Sequence, residues 1–574
     1  MKYNEILSEN IRLKKLNQSK PSYNIMILSN IIMNQISNFL EYSLQSIGVN
    51  ANVRCGNYDN ILQDSVEISD QHMVLIFWEC CNLIDGFQYK SESMDEVALN
   101  NLLEKTKYEI DIVFKNLQKC PTVIMNRFST LAFNSALLSE NNFDKVCQEL
   151  NEHLNQIKSK NEIFVEIDKV IASVSVEKSF DMRNFYSSKA LYSTDFYKKY
   201  TEYISPIVGS FMGKSKKALV LDCDNTLWYG IVGEDGMKGI QMSSKTVKGV
   251  PFEEVQFLAK ALADQGVIIC LNSKNNENDV NEVLNAHESM ILTDDEIVMK
   301  MINWEDKVSN LEALASSLNI GTDSLVFVDD SSFEIEHVRE YLPEVKLMQV
   351  PKNSYEYPTQ FRKLINSFFE LKKTKTDHLR IESYKSNIKR SEAQSKSDNL
   401  EQYLSSLELS MSIAINSKEQ LDRMAQLTQK TNQFNLTTKR YTTKDVFEMI
   451  ENPSWITFIF QAKDKFGDFG YTGECFILIN GRKAYIDTFL MSCRVLGRNL
   501  EFKFMYEILK YLKKEGVKVI MATYIKTLKN TQVENFYDQF GFTRIKDIEG
   551  LKEYELPSLE IGEENFNYIK VNYE

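Results

Sequence analysis

Two short apolar runs, Ala218–Leu221 and Leu325–Val328, each end in closely spaced carboxylates, and nothing else in the chain constrains its fold as tightly. The first run leads into Asp222-Cys223-Asp224-Asn225-Thr226, the second into Asp329-Asp330. Apolar runs of this length without alternation read as strands buried on both faces, which is the pattern of a parallel sheet. Further runs at Val267–Leu271 and Met290–Leu292, with helical patterns between, extend the strand–helix alternation over residues 206–371. In a doubly wound sheet of this kind functional residues gather at the carboxyl ends of the strands. Two strands delivering carboxylates to one edge concentrate charge that is costly without a divalent cation, and an all-oxygen donor set suits Mg²⁺.

Two more residues fit that site. Ser273 follows Val267–Leu271 and is placed to hydrogen-bond a phosphoryl oxygen; Lys307 follows Asn303-Trp304 and is placed to neutralise phosphate charge beside the metal. The gaps between these motifs are about forty-five and about thirty residues, too short for a separate cap domain when domains rarely fall below ~50 residues. An uncapped site admits a group carried on a macromolecule.

The rest of the chain divides around this block. Residues 1–205 alternate strands (Asn24–Leu28, Met73–Phe77, Pro121–Met125) with helical patterns and read as an α/β domain. Residues 372–399 are charged, lack Gly and Pro, and read as a solvated linker. Residues 400–574 mix strands such as Trp455–Phe460 and Ala484–Phe489 with helices such as Glu501–Lys514, an α+β domain. A net charge of −13 argues against a dedicated nucleic-acid binder. No run approaches the ~20 apolar residues of a membrane helix, and the first residues lack the layout of a signal peptide. The nine scattered cysteines, without framework spacing, read as reduced thiols, so a cytoplasmic setting is expected.

The order Asp-x-Asp-x-Thr, Ser, Lys, Asp-Asp resembles the four motifs of the haloacid dehalogenase (HAD) superfamily. The resemblance implies that Asp222 is the nucleophile attacking phosphorus and Asp224 the general acid/base. It further implies that Thr226, Ser273, Lys274 and Asn275 line the phosphoryl site with Lys307, and that Asp222, Asp224, Asp329 and Asp330 hold Mg²⁺. The match tightens over Leu221–Trp228, Gly233-Glu234-Asp235-Gly236, Ser273–Asn276, Asn303–Lys307, Phe327–Asp330, Gln429–Thr438 and Leu490–Arg498, which together look like the FkbH-like subfamily. That family implies a glyceryltransferase taking the phosphoglyceryl unit of 1,3-bisphosphoglycerate, a phosphorylated three-carbon metabolite. It would remove phosphate and load glyceryl as a thioester on an acyl carrier protein, in polyketide-type biosynthesis. An acyl phosphate is an activated anhydride, so a thiol takes the acyl group without ATP. Cys223 is the candidate thiol, and the alternative is that it is only the small middle residue of Asp-x-Asp. Flanking carboxylates and strand parity both speak against it.

Arg494-x-x-Gly497-Arg498 ahead of an amphipathic helix presents backbone N–H groups to a phosphate. With Asn530, Glu534–Tyr537 and Gly541-Phe542 it resembles the GNAT acyltransferase fold. There Arg494, Gly497 and Arg498 would hold the phosphates of a carrier's phosphopantetheine arm or of CoA, Asn530 would line the site, and Tyr537 would protonate a leaving thiolate. Arg498 stands where a small residue is usual, which puts ordinary acetyl-CoA use in doubt. Cys493 is a second candidate thiol. The polar run Gln429–Thr438 is expected at a domain junction near a site, and Lys214, Lys216 and Lys217 as a landing patch for an acidic carrier. The first domain resembles an SGNH-hydrolase-like fold. Its Ser29 lies at a strand end, but neither His72 nor His153 is placed as its base, so a binding or scaffold role is expected. A HAD-type doubly wound sheet flanked by SGNH-like and GNAT-like domains is thus the expected architecture. The rival functions are a phosphatase acting on a sugar or surface-polymer intermediate and a carrier-docking scaffold without chemistry.

Overall fold

The computed structural model describes residues 3–33, 35–68, 71–133, 141–157, 162–368, 384, 404–492, 495–527, 529–557 and 566–574. It comprises two compact units, Met1–Met212 and Gly213–Glu574.

In the first unit β1 (Ser22–Ser29), β2 (Asn50–Cys55), β3 (Met73–Phe77), β4 (Val123–Asn126) and β5 (Glu162–Val165) form an all-parallel sheet in the order β2-β1-β3-β4-β5. The helix Thr194–Phe211 ends this unit on a buried stripe of Phe196, Tyr200, Ile204, Ile207 and Val208. Pro206 lies inside that helix, so the division expected between residues 205 and 206 falls instead at 212/213. The stripe continues past the proline, and its burial outweighs one missing backbone hydrogen bond.

The second unit opens with β6 (Ala218–Leu221), β7 (Ile268–Ser273), β8 (Ile297–Ile302), β9 (Leu325–Asp329) and β10 (Lys346–Gln349), all parallel, in the order β10-β9-β6-β7-β8. Both faces are covered, as the unbroken apolar runs require. Leu219 and Leu221 pack toward the helices Val250–Ala263, Glu277–Ala286 and Tyr357–Ile365. Ala218 and Val220 pack toward Lys307–Ser317 and Ser332–Tyr341. The chain winds outward through β7 and β8, then returns to the other side of β6 as β9. The carboxyl ends of β6 and β9 therefore form the topological switch point, where an open parallel sheet leaves a crevice. Among the described residues, only helices and irregular chain join β6 to β7 and β7 to β8, so no cap domain intervenes. The linker expected at 372–399 lies outside the described residues except for Tyr384, which is buried in the same cluster as Leu311 and Phe327.

The same unit continues with β11 (Ser410–Ile415), β12 (Phe434–Asn435), β13 (Trp455–Asp464), β14 (Gly467–Asn480), β15 (Lys483–Met491), β16 (Val519–Ile525), β17 (Thr543–Ile548), β18 (Leu551–Leu556) and β19 (Lys570–Tyr573). They form a mixed sheet in the order β17-β18-β16-β15-β14-β13-β11-β19, with β12 paired to β15. Among the described residues, no helix is long and apolar enough to cross a membrane.

Candidate active site

The register pairs Leu221 of β6 with Val328 of β9, and the Asp222 N–H donates to Val328 O at 3.0 Å. The two strands therefore release Asp222 and Asp329 side by side. Lys307 opens the helix Lys307–Ser317, capped by Asp306, and its Nζ donates to Asp222 Oδ1 at 2.9 Å and Asp329 Oδ2 at 2.6 Å. All three side chains are buried. Burial opposes the lysine's charge, but the two carboxylates outweigh it and raise its pKa. Carboxylate oxygens of Asp222, Asp329 and Asp330 lie within 4.8 Å of one another. Burial, and next the charge of Asp222, raise Asp330 and push Asp329 up to about 7. Three converging carboxylates against one ammonium leave an excess of negative charge, and a hard divalent cation with oxygen ligands fits it.

After Asp222 the chain turns sharply. Asn225 adopts φ 51°, a left-handed conformation that asparagine tolerates, and its side chain hydrogen-bonds Asp330 and accepts from Gly230 N at 3.0 Å. The turn carries Asp224 out of the carboxylate cluster. Its Oδ1 accepts from Trp228 Nε1 and Val232 N, both at 2.9 Å, and its Oδ2 accepts from Asn275 Nδ2 at 2.7 Å. Asp224 was expected among the metal-holding side chains; the structure gives that place to Asp222, Asp329 and Asp330. Burial raises the Asp224 carboxyl despite its three donors, as suits a general acid. Asn275 was expected at the phosphoryl group and instead orients Asp224.

Cys223 is corrected more sharply. It continues the face of Leu219 and Leu221 into the apolar cluster with Trp228 and is wholly shut from solvent. Burial, and next Asp222, push its thiol well above the ordinary range, against a side-chain hydrogen bond with Ser273. A neutral, enclosed thiol is no acyl acceptor. The Ser273 hydroxyl thus sits beside Cys223 at the strand end, while Lys274 Nζ pairs with Glu334 Oε1 at 2.8 Å rather than with the aspartates. Thr226 is buried with its hydroxyl unpartnered, and its carbonyl accepts from Tyr357 Oη at 3.2 Å. Sequence reasoning passed over Asn225, Trp228 and Tyr357 as supports of this loop. It also passed over Asn272, although a buried amide directly after the apolar Ile268–Leu271 run is itself a signal.

The third sheet places its expected site residues differently. β15 and β16 pair in parallel only over Lys483–Ile486 and Val519–Ala522, and β12 enters where they part. Leu436 N donates to Phe489 O at 3.1 Å and Ile525 N donates to Leu436 O at 2.8 Å, so the chain itself fills the gap. Asn530 is the fastener: Nδ2 donates to Asn435 O and Ile525 O, both at 2.9 Å, and Oδ1 accepts from Thr527 N at 2.7 Å. Tyr537 is packed among Phe536, Phe542 and Tyr554, and burial raises its hydroxyl well above the usual range. Arg498 is buried with its guanidinium 4.9 Å from the Phe469 ring centre. Beside it, Glu501 occupies the first turn of the helix Leu500–Lys514, its carboxyl pushed up to about 7 by burial. A buried acid at a helix N-terminus takes the place where a phosphate would be stabilised. Gly497, at φ 78°, turns the chain ahead of that helix. Arg498, Asn530 and Tyr537 therefore hold structural positions instead of ligand-facing ones, and Arg494 and Cys493 lie outside the described residues.

The polar run Gln429–Thr438 does reach a junction. Asn432 Nδ2 donates to Gly213 O at 3.3 Å, and a Cβ on Gly213 would come within 2.8 Å of Gln429 O. That contact precedes β6 and is at the sheet's amino edge, away from the aspartates. The expected landing patch lies on the same edge, and Lys216 Nζ is spent on Asp323 O at 2.6 Å and Glu344 O at 3.0 Å. In the first unit Asn30 and Asn82 clasp the ends of β1 and β3, with Asn30 Oδ1 accepting from Glu79 N at 2.7 Å. Ser29 Oγ accepts from Ile31 N, while His72 pairs with Asn24 N near the start of β1 and His153 with Asp111. Neither histidine is therefore placed as a base for Ser29.

No family model matches the chain, and no curated protein does. Among solved structures it is similar to the N-terminal part of the protein BF1531 from Bacteroides fragilis, which contains a phosphatase domain and is complexed with Mg. The identity is 24%, the match covers 64% of this chain and 99% of that one, and the TM-score is 0.55. The likeness shows a shared multidomain α/β fold. Smaller matches include the ribosomal-protein-S18-alanine N-acetyltransferase of Escherichia coli, at 14% identity over 27% of this chain and 98% of that one, TM-score 0.21. Another is the PaiA N-acetyltransferase of Thermoplasma acidophilum in complex with coenzyme A, at 15% identity over 25% of this chain and 98% of that one, TM-score 0.20.

Proposed function

We propose that the chain is a Mg²⁺-dependent phosphatase of HAD type whose open site works on a phosphorylated acyl group bound for a carrier protein. The observation that carries the phosphatase reading is the buried Lys307 bridging Asp222 and Asp329, with Asp330 completing a three-carboxylate cluster. When bound there, Mg²⁺ supplies charge neutralisation for the incoming phosphoryl oxygens. It would be held by Asp222, Asp329 and Asp330, and the phosphatase-domain neighbour complexed with Mg supports this.

The chemistry of the chain's own residues follows from position. A carboxylate oxygen of Asp222 attacks phosphorus; the bond to the leaving oxygen breaks, and that oxygen takes the Asp224 proton. Asp224, now ionised, takes a proton from water, which attacks the aspartyl-phosphate and frees inorganic phosphate. Lys307 balances charge throughout.

The finer reading rests on the FkbH-like motifs. The enzyme takes the phosphoglyceryl unit of 1,3-bisphosphoglycerate, removes its phosphate ester at Asp222, and passes glyceryl to an acyl carrier protein. Enclosure of Cys223 changes the route: the carrier's own phosphopantetheine thiolate attacks the acyl carbon directly, and the acyl phosphate leaves as inorganic phosphate. The same enclosure favours, as a second reading, a plain phosphatase acting on a sugar or surface-polymer intermediate.

The test combines the full chain, Mg²⁺, 1,3-bisphosphoglycerate and a carrier protein, read by phosphate release and intact mass. Expected are a glyceryl mass on the carrier, none on the enzyme, and loss of ester hydrolysis in Asp222→Asn. Phosphate release without mass gain on the carrier leaves the plain phosphatase. No phosphate release from this or any aryl phosphate defeats both.

A further inference from the structure

We infer that Asn272, Asn303 and Asn310 form a positioning network that sets how far Lys307 reaches into the site. The inference rests on the phosphatase reading. Lys307 is the first residue of its helix, and first turns are where helices fray and shift. A displacement of about 1 Å there would break the ion pairs to Asp222 and Asp329, and misplacement on that scale costs up to about a hundredfold in rate.

The three amides pin that turn. Asn272 is wholly buried on β7, one residue before Ser273, and its Nδ2 donates to Lys307 O at 3.0 Å. Its Oδ1 accepts from Asn310 Nδ2 at 3.0 Å. Asn310, one helical turn beyond Lys307, also donates from Nδ2 to Asn303 Oδ1 at 2.9 Å, and its Oδ1 accepts from Asn303 Nδ2 at 3.3 Å. Asn303 closes the ring, since its N–H donates to Ser273 O at 3.1 Å and its Oδ1 accepts from Glu305 N at 3.0 Å. The ends of β7 and β8 and the first turn of the helix are thereby tied together.

Core filling does not account for these residues. Asn272 continues the face of Ile268 and Cys270 toward Leu311 and Leu314, where an aliphatic side chain would serve as packing. Apolar contact is non-directional and lets a helix slide along its axis, whereas a closed ring of amide hydrogen bonds does not. Every amide oxygen and nitrogen in the ring has a partner, as buried polar groups require.

The test uses the full chain with Mg²⁺ and an aryl phosphate, comparing Asn272→Ala, Asn310→Ala, Lys307→Met and the Asn272→Ala/Lys307→Met double variant, with melting curves for each. Expected is a fall in kcat/KM of about ten- to a hundredfold in each asparagine variant. In the Lys307→Met background, Asn272→Ala should change kcat/KM by less than about twofold, because the residue it positions is gone. Folded asparagine variants with kcat/KM within about twofold of the parent overturn the inference, as do losses that multiply in the double variant. If Asn272→Ala does not fold, Asn303→Ala, half-buried at the loop, takes its place under the same criteria. Mg²⁺-dependent binding of inorganic phosphate, followed by calorimetry, separates the two levels. A parent that binds phosphate, with equal weakening by Asn272→Ala and Lys307→Met, upholds the network; undiminished binding in Asn272→Ala overturns it. A parent that neither binds nor turns over phosphate defeats the phosphatase reading, and the inference with it.

Discussion

A single side chain, Cys223, divides transferase from phosphatase by its position. Its flanking carboxylates mark a reactive neighbourhood, yet strand parity sends the thiol into the core with Leu219 and Leu221. Cys223→Ala should therefore leave phosphate release, and any glyceryl loading of a carrier, within about twofold of the parent, at a stability cost of about 1 kcal/mol for the small cavity. A tenfold loss in folded protein would restore the thiol to the mechanism. Asp222, Asp329 and Asp330 were legible in the sequence because an apolar strand ending in charge fixes both where a carboxylate lies and which edge it faces, and Lys307 was legible only from its order among those motifs. The partition between Asp224 and Asp330 was not, because the turn at Asn225 decides it. The first unit offers a pH test at the same scale. Burial pushes the Glu79 carboxyl from an ordinary 4.5 up to about 7, opposed by the Tyr192 hydroxyl 2.8 Å away. The folded state keeps a proton that the unfolded chain has released, so the contribution of Glu79 is fully present below pH 4.5 and is lost as pH rises toward about 7. That loss is on the order of 3 kcal/mol. Glu79→Gln keeps an acceptor for Tyr192, so its melting temperature should match the parent at pH 4 and exceed it at pH 8. Parallel melting curves across that range would remove Glu79 from the account.

At the scale of elements, β6 and β9 were readable end to end, whereas β12 was invisible. Its two residues carry no periodicity, and its partners, Leu490 and Met491, are far along the chain. Only the wealth of amides and hydroxyls in Gln429–Thr438 hinted that this segment needed partners of its own. The consequence concerns the gap between β15 and β16. An extended ligand adding to parting strands would use the backbone groups that Leu436 already occupies. Coenzyme A at millimolar concentration should accordingly leave the melting curve of the full chain unmoved; an upward shift would show that the ligand displaces β12 or binds elsewhere. Asn530→Ala strips three backbone groups, one buried and two half-buried, of their partner and should cost about 2–3 kcal/mol. Faster amide hydrogen exchange at Leu436 and Ile525, with other parts of the second unit unchanged, is the expected signature.

On the scale of the whole molecule, the useful division is not the one that punctuation in the sequence suggests. Pro206 and the charged stretch 372–399 invite cuts into three similar domains. The buried stripe of Thr194–Phe211 carries the first unit through the proline, and the second and third sheets form one compact unit. Within that unit, Lys529 pairs with Asp323, half-buried Lys216 sits on the carbonyls of Asp323 and Glu344, and Asn432 bonds Gly213 O. Burial tends to raise the Asp323 carboxyl, but the cations Lys529, Lys216 and Lys217 outweigh it and hold it below the ordinary range, as an ion pair between packed surfaces does. Each residue of the carboxylate site, and each that supports it, belongs to Gly213–Glu574. A piece comprising those residues alone should fold as one cooperative transition and turn over an aryl phosphate with kcat within about threefold of the full chain. Ending the chain after Phe368 instead exposes the partners of Lys529 and Asn432 to water and should lower the melting temperature, with Lys529→Ala in the full chain moving it the same way by less. If the chain ended after Phe368 keeps full activity and stability, the third sheet is a passenger, and the contacts at Gly213 and Asp323 do not couple it to the site.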